Sequence, residues 1–404
     1  MSALEVAKPL ELPNGILIKN RFFKSAMSET LGSSGGPNEQ HVNLYRSWAN
    51  GGAGVVVSGN VMVSRSATGE PGNVVIEDER DMPILKRWAK EGTRNDTQLW
   101  MQINHPGKQA PLSVCWEPVA PSAVPISGDY AMAFGKPRAL TNTEVKEVIA
   151  SFIRTAVIAK KAGFTGVQIH GAHGYLVNQF LSPHDNRRED EYGGTLDNRM
   201  RFLVEIYQGM REALGAKFPI ALKLNSSDFG EGKFTESDSI EVIKKVAHLG
   251  MDLVEISGGS YENPKMVSES DEVFFLDFAH KVKKATDIPI VVTGGFRTLN
   301  SMETALKNNE TSMVGIARPM GLFPDIPNRI MNGTYETVKT GHLTTGFQLL
   351  DAKLGPLFGI SYYEQQMERI ANGKEVQIHN NAWWPILHSM CSHGLSALIP
   401  RRAK

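Results

Sequence analysis

GVQIHGAHGYLVNQFLSPHDNRREDEYGGTLDN, Gly166 to Asn198, joins a short apolar run to a glycine-framed turn that carries two histidines and a tyrosine. The run Gly166 to Ile169 holds β-branched residues and is broken by Gly171 and Gly174, which reads as a buried strand passing into a loop. His170, His173 and Tyr175 then stand at the strand's C-terminal rim. All three donate hydrogen bonds at neutral pH, because an imidazole offers an N–H and a phenol of ordinary pKa, about 10, keeps its proton. Such a group suits polarising an oxygen and delivering a proton. A single loop histidine is more often a satisfied residue than a catalyst, but three such groups within six positions between glycines favour chemistry. A metal site is the competing reading; His170 and His173 lie three apart with no following acid, unlike the helical H-E-x-x-H pattern.

Working outward, the same strand-then-helix pattern recurs on both sides. Upstream, Asn20 to Met27 reads as a first strand that delivers Ser28, followed by a helix over Asn38 to Ala49 that Gly51-Gly52 stops. Gly54 to Asn60 is the second strand, and Asp81 is the expected N-cap of the next helix. Gln98 to Asn104 is the third strand. The Pro- and Gly-containing stretch Ala110 to Leu140 is too long for a plain connection and is expected to be a lid or hairpin excursion over the rim. Thr141 or Thr143 then caps a helix whose face is Val145, Val148, Ile149, Phe152 and Ala156.

Downstream, strands are expected at Ile220 to Asn225, Leu253 to Ser257, Ile288 to Thr293 and Ser312 to Ala317. Helices are expected at Leu196 to Leu214, Glu236 to Leu249, Val273 to Ala285 and Leu299 to Lys307. Eight near-continuous apolar strands alternating with amphipathic helices imply a parallel sheet covered by helices. With no Rossmann fingerprint after the first strand, a closed (β/α)8 TIM barrel is favoured over an open doubly wound sheet. The barrel is expected to span residues 1–340, with 341–404 as a C-terminal extension that packs on it or on a partner subunit.

With 404 residues, 41% of them hydrophobic, the chain can bury a large core. Lys plus Arg and Asp plus Glu are each 43, so there is no basic field for a nucleic acid. Cys115 and Cys391 are the only cysteines, which excludes a four-cysteine iron–sulfur cluster and argues for a reduced compartment. MSALEVAKPLELPNG has no basic start followed by an apolar core, and no 18 apolar residues run together. The expectation is a cytoplasmic protein with no membrane partner, as a monomer or homodimer.

Barrel geometry brings strand C-termini together at one face, however distant in sequence. That face collects Ser28, Gly59, Gln102, His170, His173, Tyr175, Lys223, Gly294, Gly295 and Arg318, a set that suits a polar, phosphate-bearing ring compound. TGGF at Thr293 to Phe296 and GIARP at Gly315 to Pro319 follow strands seven and eight, where barrels commonly bind phosphate through backbone N–H groups. Lys223 would supply a cation within an otherwise apolar strand.

HGAHGYLVNQFLSP, continuing into EYGGTLDNR, resembles the signature of the old yellow enzyme family, the FMN-dependent ene-reductases and NAD(P)H:flavin oxidoreductases. The resemblance implies that His170 and His173 hold the substrate's carbonyl or nitro oxygen and that Tyr175 donates a proton. It implies FMN as cofactor, with Ala26 and Met27 against the ring, Ser28 near its N5 and O4 edge, Gly59 and Gln102 at the pyrimidine end, and phosphate on Gly294, Gly295, Ala317 and Arg318. His170 is then also a cofactor contact. Ser28 stands where well-known branches have Thr or Cys, and Lys223 where the family often has Arg. NAD(P)H would reduce the flavin and leave, after which an α,β-unsaturated carbonyl or nitro compound would be reduced. The same scaffold also serves NAD(P)H oxidases, desaturases and isomerases, and a non-catalytic ligand-binding barrel is the third reading.

Overall fold

The computed structural model describes residues 4–128, 131–259, 273–338 and 343–393. Eight parallel strands form a closed ring: β1 (Phe22–Lys24), β2 (Val55–Val57), β3 (Gln98–Asn104), β4 (Gly166–Gly171), β5 (Ile220–Asn225), β6 (Leu253–Ser257), β7 (Ile290–Thr293) and β8 (Met313–Ile316). Each neighbours the next, β8 pairs β1 through Gly315 and Phe23, and β3 pairs β4 through Gln102 and Gln168. The ring is a (β/α)8 barrel. Seven of the expected connections are helices packed outside it: α1 (Glu39–Asn50), α2 (Met82–Gly92), α3 (Asn142–Ala162), α5 (Leu196–Leu214), α6 (Glu236–His248), α7 (Leu276–Ala285) and α8 (Leu299–Lys307). A short α4 (Leu176–Leu181) precedes α5, and α9 (Ile326–Met331), α10 (Gln348–Ala371) and α11 (Trp383–His393) follow β8.

Several elements are shorter than their periodicity suggests, each for a local reason. The strand expected over Asn20 to Met27 is a ladder only at Phe22–Lys24, because the Asn20 side chain takes the Phe22 N–H at 3.1 Å and bonds Gly52 O at 2.8 Å, turning the chain. The second strand stops at Val57 since Gly59 N–H leaves the ladder for Glu29 Oε1 at 3.2 Å and Tyr45 Oη at 3.0 Å. β7 starts at Ile290 rather than Ile288, because Pro289 has no N–H to give. The helix expected from Val273 begins at Leu276, after a turn closed by Leu276 N–H to Val273 O. Asp81 occupies the cap position of α2 but makes no side-chain cap bond; its carboxylate lies 3.7 Å from Arg65.

The caps at Thr141, Thr195, Thr235 and Thr298 do bond the third N–H of α3, α5, α6 and α8, each worth about 1 kcal/mol. On α3, Val145, Ile149, Phe152 and Ala156 are buried and Val148 is half-buried.

The period of two along each strand divides the barrel interior into two layers. The lower layer is apolar: Phe23, Val55, Val57, Trp100, Ala221, Leu253, Val291 and Met313. Burying each large side chain of this kind contributes roughly 1.5–3 kcal/mol. Leu12 and Ile18 plug its N-terminal end. They come from a hairpin, Leu10–Glu11 against Leu17–Ile18, that precedes the first barrel strand. The turn residues Asn14-Gly15, with Gly15 at φ +83°, were the available hairpin signal. Two residues further along the strands the upper layer is polar, and it faces the C-terminal mouth.

The stretch Ala110 to Leu140 leaves the barrel, pairs Val119–Ala120 with Arg138–Ala139, and returns. Arg188 fastens its base by donating to the carbonyls of Pro121 and Leu140. After β8, α10 packs along α1, where Asn43 Nδ2 donates to Ala371 O at 3.1 Å. On α11, Trp384 is largely exposed, whereas Trp383 donates through Nε1 to Thr345 O at 2.9 Å and meets the Phe347 ring edge-on. No helix among the described residues is long and apolar enough to cross a membrane.

Candidate active site

His170 is the penultimate residue of β4, and the turn that follows is fastened by side chains from the end of β5, from α4 and from the stretch after β3. His173 has φ +61° and Gly174 φ +75°. The left-handed conformation costs a non-glycine residue roughly 1–2 kcal/mol, so something must hold it. His173 N–H donates to Asn225 Oδ1 at 3.1 Å and Gly174 N–H to Asn178 Oδ1 at 2.7 Å. Their carbonyls accept from Gln109 Nε2 at 2.8 Å and Gln179 Nε2 at 2.7 Å. Behind them, Asp228 Oδ1 accepts from the amides of Asn225 at 2.8 Å and Asn178 at 3.3 Å. Burial pushes the Asp228 carboxyl up to about 6, and the negative charge of Asp185 adds to it.

The turn gathers the three expected residues. The His170 ring lies 5.0 Å from that of His173 and 4.8 Å from that of Tyr175, both edge-on. His170 Nδ1 accepts the Ala172 N–H at 3.3 Å, so in the neutral ring the proton is on Nε2. His173 Nε2 is 2.7 Å from Ser257 Oγ at the end of β6. With the serine hydroxyl donating, His173 carries its own proton on Nδ1. Tyr175 is 2% exposed and packs against Ile126, Ala133 and Phe134 of the long loop. Its hydroxyl accepts from Asn60 Nδ2 at a long 3.4 Å.

Beneath this cluster the upper barrel layer forms one connected polar floor. Gln102 Nε2 donates to Gln168 Oε1 at 2.7 Å, and Gln168 Nε2 to Glu255 Oε2 at 2.8 Å. Glu255 Oε1 holds Lys223 Nζ at 3.0 Å and the Thr293 hydroxyl at 2.8 Å, and Thr293 meets Ser25 at 2.8 Å. Glu255 and Gln168 escaped the sequence reading, although a carboxylate inside LVEIS and an amide inside GVQIH were visible signals of an inward polar layer.

The β1 and β2 ends form another wall. Ala26 and Met27 are half-buried, and Ser28 is buried with its hydroxyl 2.6 Å from Glu70 Oε1 and 2.8 Å from Glu364 Oε1. Glu364 comes from α10, 336 residues away. Tyr363, its neighbour, is half-buried, and an added Cβ at Gly321 would touch both Tyr363 and Met27. Gly59 admits no side chain, since a Cβ would lie 2.8 Å from Met27 O.

Behind Gly59, Tyr45 donates to Glu29 Oε1 at 2.5 Å and Lys24 Nζ lies 3.8 Å from the Trp48 ring centroid. Burial lowers the Lys24 ammonium to about 8 and raises Glu29, the attraction between the two opposing both shifts. None of Glu29, Tyr45, Glu70 or Glu364 carried a local sequence signal.

Across the mouth, Gly294 and Gly295 follow β7 with φ +102° and +81°. A Cβ on Gly294 would meet nothing within 4 Å, so this turn faces open space. Gly295 N–H has no acceptor among the described residues. Ala317 precedes a 3-10 turn, Arg318–Gly321, and Arg318 is half-buried. Two consecutive left-handed glycines after β7 and a half-buried arginine after the neighbouring β8 are residue types that suit an anion.

The family model described as NADH:flavin oxidoreductase / NADH oxidase matches residues 5–337. The chain is 36% identical over 363 residues to the NADH-dependent flavin oxidoreductase iliE of Hypocrea jecorina, covering 82% of this chain and 90% of that one. It is 35% identical over 337 residues to the NADH-dependent flavin oxidoreductase nadA of Aspergillus parasiticus, covering 78% of this chain and 75% of the other. In fold, it matches the old yellow enzyme homologue from Zymomonas mobilis with a TM-score of 0.73 over 83% of this chain and 94% of that chain, at 23% identity.

Proposed function

This chain belongs to the NADH:flavin oxidoreductase / NADH oxidase family, that of the old yellow enzymes, and from that premise we propose that it is an FMN-dependent reductase of α,β-unsaturated carbonyl or nitro compounds. The observation that carries the reading is the convergence of His170, His173 and Tyr175 above a floor bearing Gln102 and Lys223.

The residues at the mouth suit FMN. Gly294, Gly295, Ala317 and Arg318 would take the phosphate, with backbone N–H groups and a guanidinium as donors. Ala26, Met27 and Ser28 would flank the ring, Gly59 and Gln102 would meet its pyrimidine end, and Lys223 would offset negative charge there. FMN, when bound, supplies hydride taken from NADH or NADPH and given to the substrate's Cβ.

The chain's own part is to hold and to protonate. His170, through Nε2–H, and His173, through Nδ1–H, bind the substrate oxygen as an oxyanion hole, where one donor is typically worth ~2.7–4 kcal/mol. Tyr175 gives its hydroxyl proton to Cα and regains one from solvent. Ile126 and Phe134 pack against its ring and hold it in place. Reductant and oxidant use one face in turn, giving ping-pong kinetics. In the extension, α10 would close the Ser28 side through Glu364.

A yellow protein with absorbance near ~450 nm that releases FMN on denaturation, and an anaerobic panel of enones and nitroalkenes, test the reading. A colourless protein that does not take up FMN would remove it. Reoxidation by O2 but by no member of the panel would assign the same scaffold to an NAD(P)H oxidase instead.

A further inference from the structure

Glu255 is fully buried in the middle of β6, between the apolar neighbours Val254 and Ile256. Both of its oxygens are spent inside the barrel. Oε1 holds Lys223 Nζ at 3.0 Å and the Thr293 hydroxyl at 2.8 Å, and Oε2 faces Gln168 at 2.8 Å. A carboxylate paired with a lysine only accepts, so the end of Gln168 that faces it is the NH2 group. Gln168 then turns its carbonyl oxygen to Gln102, which answers with its own NH2 at 2.7 Å. The orientation of two amides, which their shape alone would leave ambiguous, is set by one charge. Gln102 Oε1 is left with no donor among the described residues, on the same floor as the Lys223 ammonium.

We propose that Glu255 is a positioning residue that fixes the polarity of the barrel floor, obliging Gln102 to present a carbonyl oxygen on the floor that also carries the Lys223 cation. An acceptor and a cation on one floor recognise a ring edge bearing an N–H together with an oxygen or nitrogen that gains negative charge. The imide edge of FMN has that pattern, so the proposal rests on the FMN reading and deepens it. Glu255 touches no ligand. It acts through Gln168 and Lys223.

The test titrates cofactor-stripped protein with FMN and with FMN methylated at N3, following flavin fluorescence. In wild type the methylated form binds at least tenfold more weakly, since its N–CH3 meets the Gln102 oxygen. In Glu255→Gln the new amide can turn its NH2 to Gln168 and reverse the chain, and the discrimination falls below threefold. Gln168→Met cuts the chain while leaving the Lys223–Glu255 pair, and gives the same loss should the first variant fold poorly. Tenfold discrimination surviving in Gln168→Met overturns the proposal.

A second readout needs no flavin. With glutamine side chains labelled by nitrogen-15, the Gln102 Nε2 protons exchange slowly in wild type and at least tenfold faster in Gln168→Met, with backbone exchange in the barrel unchanged. Equal exchange overturns the proposal whether or not flavin binds. Wild-type protein that binds neither flavin removes the FMN reading alone, and the amide measurement, made also in Glu255→Gln, still decides the role of Glu255.

Discussion

Replacing Tyr175 by Phe removes one oxygen and nothing else, and the structure separates its chemical from its structural cost. The ring keeps its packing against Ile126, Ala133 and Phe134. Its hydroxyl accepts from Asn60 Nδ2 at 3.4 Å, at the edge of hydrogen-bond range. A net hydrogen bond contributes ~0.5–1.5 kcal/mol, and the loss of stability should be of that order. Losing a general acid slows its step by ~10²–10⁴, equivalent to about 2.7–5.4 kcal/mol of barrier. The chemical effect therefore exceeds the structural one. In stopped-flow experiments on the two half-reactions, flavin content and reduction by NADH should match wild type. Reoxidation by cyclohexenone should fall by the full factor. Reoxidation by O2 or a quinone, which needs no proton on carbon, should be nearly unchanged. Equal enone reoxidation in mutant and wild type would make Tyr175 a packing residue and refute the assigned mechanism.

Lys223→Met leaves Glu255 buried without its cation, which should cost ~3–5 kcal/mol of stability and weaken FMN binding or slow its reduction. Thermal melts and flavin titration check this, and wild-type flavin content with a wild-type reduction rate would dismiss the role. A phenolic ligand should slow hydrogen exchange in peptides that carry Ile126, Ala133 and Phe134, because these three already rest on Tyr175; equal exchange with and without ligand removes the lid role from Ala110 to Leu140. Burial lowers His41 to about 3 and His105 to about 4, from an ordinary 6.5. Below pH 6.5 the unfolded chain binds protons that the folded one refuses, so stability falls with falling pH, by up to ~1.4 kcal/mol per unit for each histidine until the folded values are reached. Urea unfolding between pH 7 and 5 measures the slope, and His41→Gln should remove about half of this contribution; an unaltered slope contradicts it.

Periodicity along the chain determined the architecture. Strands buried on both faces must be apolar throughout, and amphipathic helices between them must show one apolar stripe, so all eight β units were legible from residue order. Once the sheet is read as a barrel, residues ending its strands must share one face, which is why His170, Lys223, Gln102 and Gly294 could be grouped from sequence. What only the tertiary structure decided was which polar groups meet. Glu255 joins Gln168 across 87 positions, Glu364 reaches Ser28 across 336, and Asn225 takes the His173 N–H across 52. No local pattern encodes such pairs. They depend on register, on ring closure and on where a terminal helix docks, and a buried polar atom takes whatever partner that geometry supplies, because going without one costs it ~1–3 kcal/mol.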